Sequence, residues 1–522
     1  MTTVESRNGK DVQRVYLTTP LYYVNAEPHL GHTYTTVLVD TLARYHRSMG
    51  RDVFFLTGTD EHGDKIAEAA ATGGASPQEY ATRVAEIFRS TWDACDITYD
   101  HFIRTTDEHH SAFVREVLQK VYDAGDIYFG EYGGKYCTGC ERFYTDRELV
   151  DGRCPDHETE PEWISEENYF FRMSKYQERL LAFLDEQPEL VRPAGYRNEL
   201  LGLLREPLED LCISRPKSRL EWGIELPFDD RYVTYVWFDA LLNYLSGLVR
   251  VKGDEAPEFW STAQHFIAKD ILKPHAVFWP TMLMAAGYPL YKHLNVHGYW
   301  NMGESKMSKS LGNVIRPLEM KERFGLDSFR YFLLRDMVFG MDSGFTEDAF
   351  VTRYNADLCN GLGNLVSRVL AMQSKYFDGV LQPARGKLQG GEKALRDTFF
   401  AAEDAMKRHT EQLGLHLALE EIWSGIAACD KYIVETAPFK MWKDESQRER
   451  VGVILHVLCD ALRHTARLIR PFMPETSARI TDLLGCEPGT LADAPGEWGE
   501  TFAVEHLVQK PDPLFPRIEV DA

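Results

Sequence analysis

The spacing of apolar residues near the start of the chain predicts a strand, a helix and a second strand. Residues 14–19 and 52–57 are short apolar runs, and apolar residues recur at helical spacing over about 31–49. A strand, helix and strand in so short a stretch form a right-handed unit with parallel strands. Similar signals return further along the chain, at 232–248, 265–285 and 294–298. The pattern therefore predicts a parallel nucleotide-binding sheet of the α/β class.

Two other segments depart from this alternation. Residues 126–235 are rich in glycine, cysteine and short strand signals, which indicates an insertion. Beyond residue 354 the apolar positions follow long helical periods, which predicts an all-helical bundle. The predicted helices cover 354–375, 392–413, 417–436, 447–469 and 476–484.

Composition limits the classes of function. The 522 residues suggest three or four folding units, and the net charge of −22 excludes a wholly basic nucleic-acid coat. The first residues are polar, without an apolar signal segment. The longest apolar stretch, 276–290, is interrupted by Pro280 and Pro289, so no membrane span is predicted. We expect a cytoplasmic protein that does not bind membranes.

The cysteines predict a metal site and no disulfide framework. Three of the nine cysteines cluster as Cys137-x-x-Cys140 and, after a gap, Cys154-x-x-His157. Thiolates and imidazole are the ligands that zinc prefers. Four protein ligands leave no open position for water, so we expect one structural Zn²⁺.

Two short motifs carry candidate chemistry. His29 and His32 flank Gly31 where the first strand leads into the first helix, a place suited to phosphate. Lys306 and Lys309 lie in a polar, glycine-flanked loop, where flexible ammonium groups can stabilise charge growing on a pyrophosphate. Taken singly, each motif is also compatible with a plain surface helix start or a solvated basic loop.

Together the two motifs resemble the HIGH and KMSKS signatures of class I aminoacyl-tRNA synthetases. They read His-Leu-Gly-His at 29–32 and Lys-Met-Ser-Lys-Ser at 306–310. Four further stretches, 18–25, 57–63, 235–240 and 266–271, resemble the methionine-specific members of the class, and the likeness extends from about Val15 to the end of the predicted bundle.

The resemblance implies a fold and a division of the chain. The expected fold is a Rossmann-type parallel nucleotide-binding sheet split by a zinc-containing insertion and followed by an all-α helical bundle. The expected parts are the first half of the catalytic domain (1–125), the zinc-binding connective insertion (126–235), the second half of the catalytic domain (236–294), the KMSKS-loop and stem-contact region (295–356) and the anticodon-binding domain (357–522).

The resemblance also implies an activity in two steps. Methionine would react with ATP, accompanied by Mg²⁺, to give methionyl-adenylate and pyrophosphate, and a ribose hydroxyl at the tRNA end would then take the methionyl group. The expected catalytic residues are His29, His32, Lys306 and Lys309. Gly31 and Ser308 complete the expected ATP site.

The family likeness places the methionine pocket on ten residues. Asp60 would hold the substrate ammonium, and Tyr23 and His275 would lie near the sulfur. Trp237 and Tyr244, seven residues apart, are expected on one helix face. The remaining walls are Leu21, Leu241, Ile271, Pro274 and Trp279, with Leu241 standing where the family commonly has proline.

The resemblance assigns the bundle to tRNA recognition. Asn364 and Arg368 match family residues that contact anticodon bases, and Phe439 stands where the family has a stacking tryptophan. Trp442 is a second candidate for stacking. Arg463, Arg467 and Arg470 could face phosphate, or could equally form a solvated helix face.

Two alternatives compete with the methionine-specific assignment. Enzymes of this class for leucine, isoleucine or valine carry an editing insertion too long for the roughly 110 residues here, and cysteine enzymes have an open zinc site. A non-catalytic tRNA-binding protein would have no use for the four residues His29, His32, Lys306 and Lys309. The expected partners are ATP, L-methionine and tRNA(Met), initiator and elongator, and we expect a monomer.

Overall fold

The computed structural model describes residues 12–140, 142–144, 146, 148–302, 305–306, 315–487, 489–503 and 505–519. The chain divides into two compact units, one formed by residues 14–39 and 53–297 and the other by residues 40–52 and the chain from 298 onward. Among the described helices, none combines the length and the hydropathy that a membrane span requires.

Most of the described strands are short and lie before residue 300. Their bounds are β1 Arg14–Thr18, β2 Tyr22–Tyr23, β3 Asp52–Asp60, β4 His101–Arg104, β5 Ile127–Cys137, β6 Arg142–Tyr144, β7 Glu162–Phe171, β8 Val191–Arg192, β9 Leu211–Cys212, β10 Ser214–Pro216, β11 Glu225–Leu226, β12 Asp229–Thr234, β13 Gln264–Ala268, β14 His293–His297, β15 Trp300–Met302, β16 Ser305–Lys306 and β17 Ser343–Phe345. The longest of them are β3, β5 and β7.

The helices are longest after residue 360. Their bounds are α1 Leu30–Ser48, α2 Asp64–Thr72, α3 Pro77–Ala94, α4 Glu108–Asp123, α5 Gln177–Glu186, α6 Ala194–Leu203, α7 Val236–Ala240, α8 Asn243–Lys252, α9 Ala256–Trp260, α10 Trp279–Ala286, α11 Pro317–Phe324, α12 Leu326–Asp336, α13 Glu347–Arg353, α14 Asn364–Phe377, α15 Gly390–Glu411, α16 Leu415–Thr436, α17 Pro438–Met441, α18 Arg448–Ile469 and α19 Pro474–Leu484.

A parallel sheet forms the centre of the first unit, as the strand–helix–strand pattern predicts. Its described strands run in the order β2-β3-β1-β13-β14-β8, with β4 beside β3, and the pairs of known register are parallel. Helices cover the sheet, so β3 is buried along almost its whole length. Gly58 is required at its place, because a Cβ there would lie 1.9 Å from the carbonyl oxygen of Ile103 on β4.

The range predicted as an insertion contains antiparallel strands, ordered β6-β5-β7-β9 in one sheet and β10-β12-β11 in another. A hydrogen-bonded ladder from Ile127 to Tyr136 joins β5 to β7. Within the same range, however, β8 pairs with β14 at the edge of the parallel sheet. The segment around β8 therefore contributes a strand to the parallel sheet, which its composition did not indicate.

The second unit is largely helical, and the five helices predicted beyond residue 354 are all present. The first of them begins as a π-helix, Tyr354–Gly363, that leads directly into α14. Helix α18 packs against α14, α15, α16 and α19, and nearly all of its residues are buried. The α/β class with a helical bundle after it is thus confirmed.

Three arginines, Arg463 and Arg467 of α18 and Arg470 directly after it, bind the segment that follows α19. Arg467 is buried, donates to the carboxylate of Glu403 at 2.8 Å and also reaches the backbone oxygen of Thr490 at 2.8 Å. Arg463 and Arg470 donate to backbone oxygens of that segment, those of residues 487 and 489. The expectation of a solvated face is wrong for Arg467, and the whole stripe has acceptors within the protein.

A buried ion pair ties α1 to α12 inside the second unit. The guanidinium of Arg330 lies 2.7 Å from the carboxylate of Asp40, and both side chains are completely buried. Arg330 also donates to the backbone oxygens of Phe472 and Pro471, at 2.9 and 3.2 Å. The guanidinium is thus paired with a carboxylate and bonded to two backbone oxygens, as a charge away from water requires.

We expect Arg330→Met to destabilise the protein strongly. The substitution removes a charged partner of the buried Asp40, which should cost about 3 kcal/mol. The matched control is Arg323→Met, which breaks an ion pair with Glu347 that is half exposed and should cost less than about 1 kcal/mol. Denaturant unfolding followed by circular dichroism measures the free energy of unfolding of both variants. Equal losses of stability would contradict the importance of the buried ion pair between Arg330 and Asp40.

Candidate active site and metal centre

Two stacked histidines lie where the loop after β2 enters α1. The imidazole rings of His29 and His32 have centroids 3.8 Å apart. The backbone N–H of Gly31 donates to Nδ1 of His29 at 3.1 Å, and a Cβ at Gly31 would lie 3.1 Å from that ring. The first turn of α1 therefore brings a helix N-terminus together with two imidazoles, a combination suited to an anion.

Asp60 ends β3 at the carboxyl edge of the parallel sheet. Its neighbour in register on β2 is Tyr23, and its backbone oxygen accepts from the N–H of Val24 at 3.2 Å. The Asp60 residue is 8% exposed, and the ammonium of Lys65 lies 5.9 Å from the ring centre of Tyr23. The sheet thus places the predicted ammonium ligand beside the predicted tyrosine.

The residue after Asp60 is held by an ion pair. The carboxylate of Glu61 is completely buried and accepts from Nε and Nη2 of Arg104 at 2.7 and 2.9 Å. It also accepts from the hydroxyls of Thr59 and Thr106, each at 2.7 Å. Such a set of donors satisfies a buried carboxylate and prevents its rotation.

His62, the residue after Glu61, belongs to a second buried cluster. Asp239 of α7 binds Nδ1 of His62 at 2.6 Å and Nε2 of His110 at 2.7 Å, while Nδ1 of His110 lies 2.7 Å from the hydroxyl of Ser246. Burial opposes the charge of Asp239, but the two histidines lower the pKa of its carboxyl. The loop that carries Asp60 is thereby joined to α7, which carries Trp237.

The predicted pocket aromatics come together around His275, although not as one helix face. Helix α7 ends at Ala240 and α8 begins at Asn243, so the expectation of one continuous helix for Trp237 and Tyr244 is wrong. Both rings nevertheless reach the same imidazole: Trp237 lies edge-on at 6.1 Å, and the Tyr244 hydroxyl bonds Nε2 at 2.8 Å.

The imidazole of His275 is neutral, because burial lowers its pKa to about 4 although the oxygen of Ile271 opposes the shift. Nδ1 therefore donates to the Ile271 oxygen, and Nε2 accepts from Tyr244. Behind it, the indole of Trp279 donates to His265 at 3.2 Å. Of the other predicted walls, Leu241 is fully buried and three are partly buried, namely Leu21, Ile271 and Pro274.

The lysine motif lies mostly outside the described residues. These include neither Ser308 nor Lys309, and of Lys306 the backbone alone is described, paired with Asn301 in the antiparallel β15–β16 ladder. The expected roles of this motif stay predictions.

The four predicted metal ligands converge. The ligand atoms of Cys137, Cys140, Cys154 and His157 all lie within 4.8 Å of one another. The Cys140 sulfur is 3.4 Å from that of Cys154 and 3.2 Å from Nδ1 of His157. A tetrahedral metal with bonds of roughly 2.0 to 2.3 Å needs ligand atoms separated by about 3.5 Å. The four residues can therefore hold one metal ion.

Two features prepare this cluster for a cation. A Cβ at Gly139 would lie 2.5 Å from the ring of His157, so only glycine lets the imidazole approach the turn between Cys137 and Cys140. Burial opposes ionisation of Cys154, but hydrogen bonds with Tyr144 and His157 lower the pKa of its thiol to about 6. Burial instead raises the pKa of the neighbouring Cys140 thiol, so the pKa values of the two thiols shift in opposite directions.

The predicted anticodon residues lie on two helices of the bundle, Asn364 and Arg368 on α14 and Phe439 on α17. Asn364 begins α14 with an exposed side chain, and Arg368 one turn later pairs with Asp430 of α16 at 2.9 Å. Phe439 is 45% exposed. Trp442 instead stacks on Tyr376, with ring centroids 4.6 Å apart.

Comparisons with known proteins agree with this geometry. The family model for class I tRNA synthetases (M) matches residues 15–160 and 157–370, and that for the anticodon binding domain of methionyl tRNA ligase matches 382–522. The chain is 43% identical over 97% of its length to the methionine–tRNA ligase of Caldanaerobacter subterraneus, of which it covers 79%. It is 44% identical to that of Deinococcus radiodurans, over 97% of this chain and 75% of that one.

A solved structure is also similar to the chain. The structure of Mycobacterium tuberculosis methionyl-tRNA synthetase in complex with methionyl-adenylate superposes with a TM-score of 0.91 and 38% identity, over 97% of this chain and all of that one. The chain belongs to the methionyl-tRNA synthetases. As a class I methionine–tRNA ligase, the synthetase activates methionine with ATP and transfers it to tRNA, so the predicted family and activity are confirmed.

Sequence reasoning missed the buried polar residues that support the synthetase's site. Glu61, His62 and Asp239 lie within the stretches 57–63 and 235–240 that carried the resemblance, but their partners Arg104 and His110 lie in neither. A cluster of ionisable residues at the end of an apolar strand is a signal that could have found the first two, since such residues must be paired when buried.

We expect Gly139→Ala to weaken metal retention by the synthetase. The new methyl group would overlap the ring of His157 and push that ligand away. Gly130→Ala on β5 is the matched control, because its Cβ would meet its neighbours at an ordinary 3.5 Å. Zn²⁺ stoichiometry of each purified variant, measured with a chromogenic chelator, should fall for Gly139→Ala alone. Full occupancy in that variant would contradict the proposed ligand set.

Proposed function

We propose that methionine binds with its ammonium at Asp60 and its side chain among the aromatic residues around His275. The observation that carries this proposal is the pairing of Asp60 with Tyr23 at the carboxyl edge of the sheet, the place where ligands of open parallel sheets bind. Asp60 is buried as a residue, and a carboxylate in such a place is stabilised by a cation beside it, which the substrate would bring.

The pocket would recognise methionine by shape and polarisability. Walls from Leu21, Trp237, Leu241, Tyr244, Ile271, Pro274 and Trp279 suit an unbranched thioether. The phenol of Tyr23 would donate toward the sulfur. Because both nitrogens of His275 are bonded within the protein, this imidazole would contact the substrate through its ring and would hold Tyr244 in place.

In the first step the methionine carboxylate would attack the α-phosphate of ATP, releasing pyrophosphate. The stacked pair His29 and His32 would donate to phosphate oxygens, and the bare backbone of Gly31 would leave room for adenine. Lys306, Ser308 and Lys309 would bind the departing pyrophosphate. No protein nucleophile is required, since positioning and charge stabilisation suffice.

We propose different sites and roles for Zn²⁺ and Mg²⁺. Zn²⁺ is proposed at Cys137, Cys140, Cys154 and His157, where sulfur and imidazole ligands suit it, and its role there is structural. Mg²⁺ would enter with ATP and neutralise phosphate charge.

We propose tRNA(Met), initiator and elongator, as the acceptor, read by the bundle. Asn364 and Arg368 would contact anticodon bases, and Phe439 would stack on one of them. The exposed ring of Phe439 and the stacking of Trp442 on Tyr376 both favour Phe439 over Trp442. Ala437, two residues before Phe439, has a φ of 45°, a strained conformation of the kind that clusters at functional turns. We further propose that the synthetase acts as a monomer in the cytoplasm, where these substrates meet.

Asp60→Asn should reduce methionine activation severely. Loss of the charge facing the substrate ammonium should lower kcat/KM for methionine roughly 100-fold to 1000-fold in ATP–pyrophosphate exchange. The KM for ATP should change little.

Asp123→Asn is the matched control, because this exposed aspartate at the end of α4 bonds only Gln119 among the described contacts. Normal exchange in Asp60→Asn, with Asp123→Asn also normal, would remove Asp60 from the amino-acid site.

Phe439→Ala should impair tRNA recognition while leaving methionine activation intact. Loss of one base stack should lower kcat/KM for tRNA aminoacylation roughly tenfold to hundredfold, and pyrophosphate exchange, which needs no tRNA, should be unchanged. Leu417→Ala, which trims a partly exposed apolar side chain of α16, is the control. A loss in Trp442→Phe, with Phe439→Ala unaffected, would contradict the choice of Phe439.

A further inference from the structure

Tyr136 connects the metal cluster to the loop that carries Asp60. It precedes the metal ligand Cys137 at the end of β5, and successive side chains of a strand point to opposite faces. The Tyr136 ring is buried, and its hydroxyl donates to Oδ2 of Asp64 at 3.1 Å. Asp64 begins α2, directly after the loop from Asp60 to Gly63.

Two arginines fix the ring of Tyr136. The guanidinium carbons of Arg219 and Arg215 lie 4.4 and 5.2 Å from the ring centre. Arg219 also contacts the same Asp64 oxygen at 3.5 Å. Arg215 is itself held by the Ser214 oxygen at 2.7 Å. The phenol is thus confined by cation–π contacts while it donates to a carboxylate.

The segment that supplies these arginines also binds the loop from Asp60 to Gly63 through Trp222. The indole of Trp222 donates to the backbone oxygen of Glu61 at 2.5 Å, and its backbone oxygen accepts from the N–H of Gly63 at 3.4 Å. The loop from Asp60 to Gly63 is therefore bonded to Trp222, and Asp64 directly after it is bonded to Tyr136 and Arg219.

We propose that Tyr136 is a positioning residue through which the occupied metal site orders the methionine-binding loop. A metal held by Cys137 would fix the end of β5 and so the direction of the neighbouring phenol. Loss of the metal would free that strand end and loosen the contact with Asp64. Metal occupancy would then change the affinity for methionine. This inference rests on the proposed role of Asp60.

The test compares methionine affinity, by equilibrium dialysis with labelled methionine, in full-length protein with Zn²⁺ and after chelation. In the unsubstituted protein, chelation should weaken methionine binding about tenfold, the loss of one hydrogen bond to a charged group. Tyr136→Phe should bind about tenfold more weakly with Zn²⁺ present and should change less than twofold on chelation. The KM for ATP should stay constant in all samples.

Tyr128→Phe is the matched control. Tyr128 lies on the same strand and donates to Asp210 at 3.0 Å, away from the Asp60 loop. This variant should respond to chelation as the unsubstituted protein does. A Tyr136→Phe protein that still loses tenfold on chelation, or an unsubstituted protein indifferent to chelation, would overturn the proposal.

A second variant separates the role of the contact between Tyr136 and Asp64 from damage to the metal site itself. Should Tyr136→Phe retain less Zn²⁺, Asp64→Ala removes the same contact from the loop side and should show the same insensitivity to chelation at full metal content; a tenfold response there would overturn the proposal. Failure of the proposed methionine site has a different signature, because Asp60→Asn would then bind methionine normally whatever the outcome for Tyr136.

Discussion

The burial of three consecutive ionisable residues at the end of β3 is the constraint on which the site depends. Asp60, Glu61 and His62 follow an apolar strand into the interior, where an unpaired charge is costly. Glu61 is paired by Arg104, and His62 by Asp239. These partners come from β4 and α7, so satisfying the flanking charges fixes the backbone of Asp60. The carboxylate of Asp60 is thereby positioned for the substrate ammonium that we propose it binds.

Burial and hydrogen bonding also keep the imidazoles of His265 and His275, which lie among the predicted pocket residues, neutral. His265 lies between the hydroxyl of Thr18, at 2.9 Å, and the indole of Trp279, and burial lowers its pKa well below the usual range. His275 is saturated in the same way by Tyr244 and Ile271. A pocket without charge in its wall favours a thioether over a charged side chain of similar length. In the proposed site, charge would be confined to the end where we place the substrate amino group, at Asp60.

Much of this architecture can be predicted from the sequence, because it rests on local patterns. The strand–helix–strand unit, the bundle helices and the four metal ligands follow from apolar spacing and from Cys-x-x-Cys and Cys-x-x-His. Contacts distant in sequence cannot be predicted this way. Asp239 meets His110 across more than a hundred residues, and Arg463 and Arg470 bind backbone oxygens, which any residue type supplies. The turn between α7 and α8 has no glycine or proline to mark it.

Selection of methionine by a neutral aromatic pocket that ends in Asp60 is the central claim. Amino-acid-dependent ATP–pyrophosphate exchange, run with each of the twenty amino acids in turn, tests it most directly. We predict exchange with methionine, and kcat/KM lower by at least roughly 100-fold for leucine, isoleucine, valine and cysteine. Exchange with any of these at a kcat/KM comparable to that of methionine would contradict a pocket selective for the thioether.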